Sequence, residues 1–186
     1  MKRLFTILAA CLLVTAASAQ TISKGTFFVN PTLTNLSFNA VTISSGGAKE
    51  SMNRIGVQAT GGYAIIDNLA VVAGVGFQSG KYSDSSMSVL NAFVGARYYF
   101  IPSLYAGLNA AVGNLSLNNN TGTGSKGANT GTTFGLEANV GYSWFLSERF
   151  ALEPSLSFYY GLVNQMAGQK FNLNMFSVNF GFLYYL

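Results

Sequence analysis

An all-β fold is what this sequence predicts: an eight-stranded antiparallel up-and-down transmembrane β-barrel with short periplasmic turns and longer extracellular loops. Three observations predict it. Charged residues are 9% of the 186 and apolar residues 49%, whereas an average soluble domain is about 25% charged. Beyond the N-terminal leader, no segment reaches the roughly 18 consecutive apolar residues of a membrane helix. An apolar chain of low charge without such a helix is left with the closed barrel, the other structure that satisfies every backbone polar group in lipid. Third, Phe176, Val178, Phe180, Phe182, Tyr184 and Leu186 share one face of a C-terminal strand, and Ser177, Asn179 and Gly181 lead the other. Successive strand residues point to opposite faces, so this strand has one face for lipid and one for a polar interior.

Residues 1–19 read as a signal peptide and 20–186 as the barrel domain. Lys2 and Arg3 form a basic start, Leu4 to Val14 an apolar core, and Ala17-Ser18-Ala19 a small-residue cleavage site. Leu8-Ala9-Ala10-Cys11 resembles a lipoprotein box but leaves only residues 4–7 as the apolar core, too few for such a signal. Cys11 is the single cysteine, so the barrel domain carries no disulfide or thiol chemistry.

Eight alternating segments follow. The first, about Gly25 to Phe38, aligns Phe27, Val29, Pro31 and Leu33; the phase shifts near Asn35, where a bulge is expected. The second, Arg54 to Ile65, turns Ile55, Val57, Ala59, Tyr63 and Ile65 outward, with Gln58 and Thr60 inward. The third, Leu69 to Phe77, aligns Leu69, Val71, Ala73, Val75 and Phe77. The fourth, Val89 to Phe100, sets Leu90, Ala92, Val94, Ala96, Tyr98 and Phe100 against Asn91, Gly95 and Arg97. The fifth, Leu104 to Leu115, sets Leu104, Ala106, Leu108, Ala110 and Val112 against Gly107, Asn109 and Gly113. The sixth, Thr133 to Phe145, sets Phe134, Leu136, Ala138, Val140, Tyr142 and Trp144 against Glu137, Asn139 and Ser143. The seventh, Phe150 to Gly161, sets Phe150, Leu152, Leu156, Phe158 and Tyr160 against Glu153, Ser155 and Ser157. The eighth is the terminal strand. Pro31 and Pro154 each delete a ladder donor, so bulges or strand ends are expected to absorb them.

The connections alternate in length. Residues 66–68, 101–103 and 146–149 form tight turns, and the other connections are longer, the longest roughly Ser116 to Thr132. Short turns at one end and long loops at the other suit an outer-membrane barrel. Aromatics gather at both ends of the segments: Phe27, Tyr63, Tyr98, Tyr99, Phe100, Tyr105, Tyr142, Trp144, Phe145, Phe150, Tyr184 and Tyr185 at the tight-turn end, and Phe38, Phe77, Phe134, Phe158, Tyr160 and Phe176 at the other. Two aromatic girdles flank an aliphatic band in such barrels. A soluble lipocalin-like barrel would need an outer face rich in Lys and Glu, whereas the polar face here is mainly Gly, Asn, Ser, Thr and Gln.

With the leader, the hairpin spacing, the Leu152-Glu153-Pro154-Ser155-Leu156 segment and the terminal aromatic strand in place, the chain resembles the small outer-membrane β-barrel family of Bacteroidetes-type bacteria, related in shape to the eight-stranded OmpX and OmpW barrels. The resemblance implies a Gram-negative outer-membrane location. It also implies that Phe180, Phe182, Tyr184 and Leu186 carry the signal read by the barrel-assembly machinery, with Leu186 where the family more often ends in Phe.

Chemistry is sparse. The chain has no His, which excludes His-dependent hydrolases and acyltransferases as usually built. Asp67 and Asp84 fall in a turn and a loop, and neither zinc nor iron finds a ligand set. No catalytic, cofactor or metal residue is assigned. Gly122-Thr-Gly124-Ser-Lys-Gly127 matches a dinucleotide fingerprint by letter but lacks the strand before it and the helix after it. The sequence pI is 9.2, yet Lys2 and Arg3 lie in the leader and the remainder is near balance, so nucleic acid is not an expected partner.

Arg97, Glu137 and Glu153 are the inward charges. Arg97 and Glu153 each lie about four residues from a tight turn and can share a height in the lumen, with Glu137 higher. Such buried charges need partners, so a salt-bridge network is expected. Lys49, Lys81, Lys126 and Lys170 fall in the longer connections. Outer-membrane lipids and lipopolysaccharide phosphates are the partners they suggest, against plain solvation, and no extracellular partner is specified.

Two functions follow. Eight strands leave an interior that side chains can fill, and Arg97, Tyr99, Glu137, Glu153, Tyr159 and Tyr185 are candidates to fill it in a structural or interaction scaffold without catalysis. The alternative is a narrow porin-like channel or a conduit for small or apolar solutes, with space left by Gly74, Gly76, Gly95, Gly107, Gly113, Gly135 and Gly141.

Overall fold

The computed structural model describes residues 22–34, 41–45, 48–50, 54–82, 85–120, 126–166, 169–170 and 172–186. The leader, the phase shift near Asn35 and Gly122–Ser125 of the glycine motif lie outside them.

Among the described residues the strands are β1 (Phe27–Thr34), β2 (Val41–Ser45), β3 (Ala48–Glu50), β4 (Arg54–Ile66), β5 (Leu69–Tyr82), β6 (Ser85–Ile101), β7 (Leu104–Asn120), β8 (Lys126–Tyr142), β9 (Trp144–Phe145), β10 (Phe150–Met166), β11 (Gln169–Lys170) and β12 (Asn172–Tyr185). The hydrogen-bonded order runs β10-β8-β7-β6-β5-β4-β1-β12, and β10 pairs with β12. These eight strands therefore close a ring of antiparallel neighbours with no free edge. The short β2, β3 and β11 extend the wall at the end opposite the tight turns, and β9 continues β8 along β10.

Each expected outward face points outward. In β1, Phe27, Val29, Pro31 and Leu33 are exposed, while Phe28, Asn30, Thr32 and Thr34 are buried. In β7 the outward run Leu104, Leu108 and Val112 gives way to exposed Asn114 and Asn118. A tilted strand needs about 9–11 residues to cross a bilayer. The 17-residue β6, β7, β8 and β10 therefore project beyond it.

In that projection the polarity inverts. Ser, Asn and Thr face outward, and Met87, Val89 and Leu115 form a buried apolar cluster inside, with Leu117 against it. This corrects the expected Ser116–Thr132 loop: β7 runs on to Asn120, which pairs with Lys126.

Both prolines act differently from the expectation. Pro31 keeps its place opposite Ala59 in β4, while the β1–β12 pairing skips from Val29↔Tyr184 to Thr32↔Gly181. Pro154 faces Phe180 in β12, while the pairing of β10 skips from Leu152↔Trp144 to Ser155↔Gly141. Neither sits at a bulge or a strand end; each interrupts one ladder, where its missing N–H would have donated. Register shifts lie instead at 64/66 and 99/101 beside tight turns, and at 161/163. The turn after β4 uses Asn68 at φ 64°, a left-handed conformation that asparagine tolerates.

Candidate functional site

Inward residues converge on one carboxylate. Glu153 Oε1 accepts from Arg97 Nη1 at 3.0 Å, from the Tyr105 hydroxyl at 3.0 Å and from Asn30 Nδ2, and Oε2 accepts from Ser143 Oγ at 3.2 Å. The donors come from β1, β6, β7 and the residue between β8 and β9, so the hub crosses the lumen. A carboxylate saturated by charged and neutral donors is the arrangement in which a buried charge is tolerated. The Arg97 guanidinium lies 4.4 Å from the Tyr105 ring centre and 5.7 Å from that of Phe28, cation–π contacts that stabilise its desolvated charge.

Asn30 reaches Glu153 across an intervening strand because that strand offers no side chain there. Gly181 of β12 lies opposite both Thr32 and Glu153. A Cβ at this position would meet the Asn30 amide and the Thr32 hydroxyl. Thr32 Oγ1 donates to Asn30 Oδ1 at 2.7 Å, which fixes the amide so that Nδ2 faces the carboxylate.

Below the hub, an aromatic cluster fills the tight-turn end. Phe28, Tyr99, Tyr105 and Tyr185 pack with Ile22, Val72 and Leu183, all buried. Tyr99 and Tyr105 lie 5.6 Å apart, and Phe28 and Tyr185 meet edge to face at 5.9 Å. Tyr99 and Tyr185 face the lumen as candidates to fill it, and Tyr105, assigned from position to the girdle alone, joins them there. Strand parity carried the signal for Tyr105, which shares the face of Gly107 and Asn109. Phe28 shares the face of Asn30 in the same way, and Phe93 that of Asn91.

The chain before β1 packs against this end. Ile22 O accepts from Asn68 N at 2.9 Å, Gly25 N donates to Ala64 O at 2.8 Å, and Lys24 N donates to Asp67 Oδ1 at 2.8 Å. Ile22 is held inside the aromatic cluster at 1% exposure. No periodicity in the sequence pointed to this segment.

The seven lumen glycines are covered rather than open. A Cβ at Gly74, Gly135 or Gly141 would strike the Phe93, Tyr159 or Tyr105 ring, and one at Gly76, Gly95, Gly107 or Gly113 would strike Asn91, Asn109, Asn139 or Thr133. Each glycine receives a side chain from a neighbouring strand. Gly62 does the same for Phe28. Gly62→Ala is therefore expected to lower unfolding stability by about 1–3 kcal/mol through overpacking. Denaturant unfolding in bilayers measures it, and an unchanged midpoint would show that Phe28 has room to move.

Glu137 lies away from the hub, and its carboxylate accepts from Asn109 Nδ2 at 3.0 Å. Lys49, Lys81, Lys126 and Lys170 lie on β3, β5, β8 and β11, all at the end opposite the tight turns. They occupy strand positions rather than open loops. Phe180, Phe182, Tyr184 and Leu186 face outward on the terminal strand, and β12 pairs with both β1 and β10.

Known proteins agree with this architecture. No curated protein matches the chain. Among solved structures, the chain is similar to Neisserial surface protein A, with 16% identity, 85% of this chain and 96% of that one covered, and a TM-score of 0.58. It is similar to Ail, the attachment invasion locus protein of Yersinia pestis, with 12% identity, 87% and 99% covered, and a TM-score of 0.57. A third similarity is to the outer membrane protein OprG of Pseudomonas aeruginosa, with 13% identity, 91% and 99% covered, and a TM-score of 0.55. At these identities the likeness establishes the fold. The family model described as outer membrane protein beta-barrel domain matches residues 7–182. A closed ring with lipid-facing and lumen-facing alternation, matched over nearly the whole length, makes this chain a member of the outer membrane protein β-barrel domain family, whose place is the bacterial outer membrane.

Proposed function

We propose that the protein is a structural and interaction scaffold of the outer membrane whose lumen is closed by its own side chains, without catalysis. The observation that carries this reading is the Glu153 hub, where donors from four other segments meet across the interior. The aromatic cluster with Ile22 lies on one side of the hub and the Met87–Val89–Leu115 cluster toward the other end. The side chains that lie over the lumen glycines support this reading over the porin-like one. Liposome swelling tests the proposal: vesicles carrying the folded chain swell no faster in small sugars than empty vesicles. Swelling that falls with sugar size would favour the channel instead.

The function then lies on the projecting strands, with outer-membrane lipid and lipopolysaccharide as partners. The four lysines at that end supply cations for phosphate groups. Replacing Lys49, Lys81, Lys126 and Lys170 together with Gln is expected to reduce co-purifying lipopolysaccharide severalfold; unchanged association would leave these lysines as solvated charge. Delivery by the barrel-assembly machinery rests on the outward Phe180, Phe182, Tyr184 and Leu186, and a cleaved leader at residues 1–19 takes the chain to the envelope.

A further inference from the structure

Glu137 is an acid that the hub leaves unused. Arg97 is committed to Glu153 at 3.0 Å, and the hydrogen bond to Glu137 comes from a neutral amide, Asn109 Nδ2. A cavity of about 20 Å³ adjoins the Glu137 side chain. Gln78 Oε1, Asn91 Oδ1 and the Tyr159 hydroxyl belong to residues on its wall; among the described residues the two amide oxygens have no hydrogen-bond partner, and the hydroxyl has only the Thr133 side chain beside it. Thr133 completes the polar part of the lining. Tyr159 is 6% exposed. These groups come from β5, β6, β8 and β10, so closure of the ring assembles them and no local motif does.

The unpartnered atoms are all oxygens, and a carboxylate stands beside them. Buried acceptors without donors are costly, and so is a half-buried carboxylate whose nearest cation is paired with another acid. The volume suits one small occupant. We propose that this cavity binds a single hard monovalent cation of the sodium class, held by the Glu137 carboxylate with the oxygens of Gln78, Asn91 and Tyr159. Carboxylate, carbonyl and hydroxyl oxygens are the donors that hard cations take. One carboxylate balances one positive charge, and the wall offers no second acid of the kind a divalent ion favours. The His and Cys chemistry of zinc or iron is a separate matter, and this all-oxygen set does not call on it.

The test is the thermal unfolding midpoint of the folded barrel in bilayers, in sodium chloride against choline chloride at equal ionic strength. Choline is too large for the cavity. Sodium at about ten times its dissociation constant is expected to raise the midpoint by about 3–5 °C. Glu137→Gln keeps the side-chain shape and an acceptor for Asn109, and it abolishes the difference between the salts. Glu148→Gln, in the exposed turn before β10, preserves that difference. Should Glu137→Gln fail to fold, Tyr159→Phe removes one ligand oxygen and is expected to reduce the difference by at least half. Equal midpoints in the two salts, the behaviour of a cavity holding water alone, overturn the proposal, as does a sodium effect that survives Glu137→Gln.

Discussion

Glu153→Ala is expected to destabilise the barrel by about 3–5 kcal/mol, the loss found when one partner of a buried ion pair is removed. The substitution strips Arg97, Tyr105, Asn30 and Ser143 of their shared acceptor at once. Arg97 then stays in the lumen with aromatic faces but no anion. Removing both charges, as Arg97→Met with Glu153→Leu, is expected to recover most of the loss, because paired replacement of buried ions by apolar groups is often neutral. Trp144 is the single tryptophan and stands outward at the tight-turn end, half exposed. Its fluorescence during urea unfolding in vesicles reads the midpoint directly. A Glu153→Ala midpoint equal to that of the parent would mean that the hub contributes nothing.

Leu108→Arg is expected to cost about 2–4 kcal/mol, the penalty for a cation on the lipid face near the bilayer midplane. Leu108 sits halfway along the outward run from Leu104 to Val112 on β7. Ser116→Arg lies on the same strand and the same face, beyond Val112, where that face has become polar. It is expected to stay within about 0.5 kcal/mol. The contrast between two arginines eight positions apart on one strand marks the edge of the lipid band. Equal effects at the two positions would contradict a membrane-facing wall.

The faces were legible because parity is a local property. Leu108 outward and Asn109 inward follow from alternation alone, and the ring keeps both. Arg97 and Glu153 could be set at one height by counting from their tight turns, and they lie 3.0 Å apart. What covers a lumen glycine was not legible, because it depends on register between strands: Tyr105 lies over Gly141 only because β7 and β8 pair at that step. The same dependence hid Asn30, which reaches Glu153 over Gly181. The projecting ends of β7 and β8 read as loop for a different reason. Beyond the lipid the apolar residues of β7, Leu115 and Leu117, move to the opposite parity, and the start of β8 is nearly all Gly, Asn and Thr, so the pattern that marks a membrane strand stops at Val112 although the strand continues. Ile22 has no period to betray it, since a single residue anchored by backbone hydrogen bonds carries no repeat.

Single-channel recording of the folded chain in planar bilayers tests most directly whether its own side chains close the lumen, as proposed. The proposed closure predicts a silent barrel: folded, inserted and without discrete conductance steps. Reproducible steps of one size, shifted in ion selectivity by Glu153→Gln, would contradict it and turn the hub into a selectivity filter.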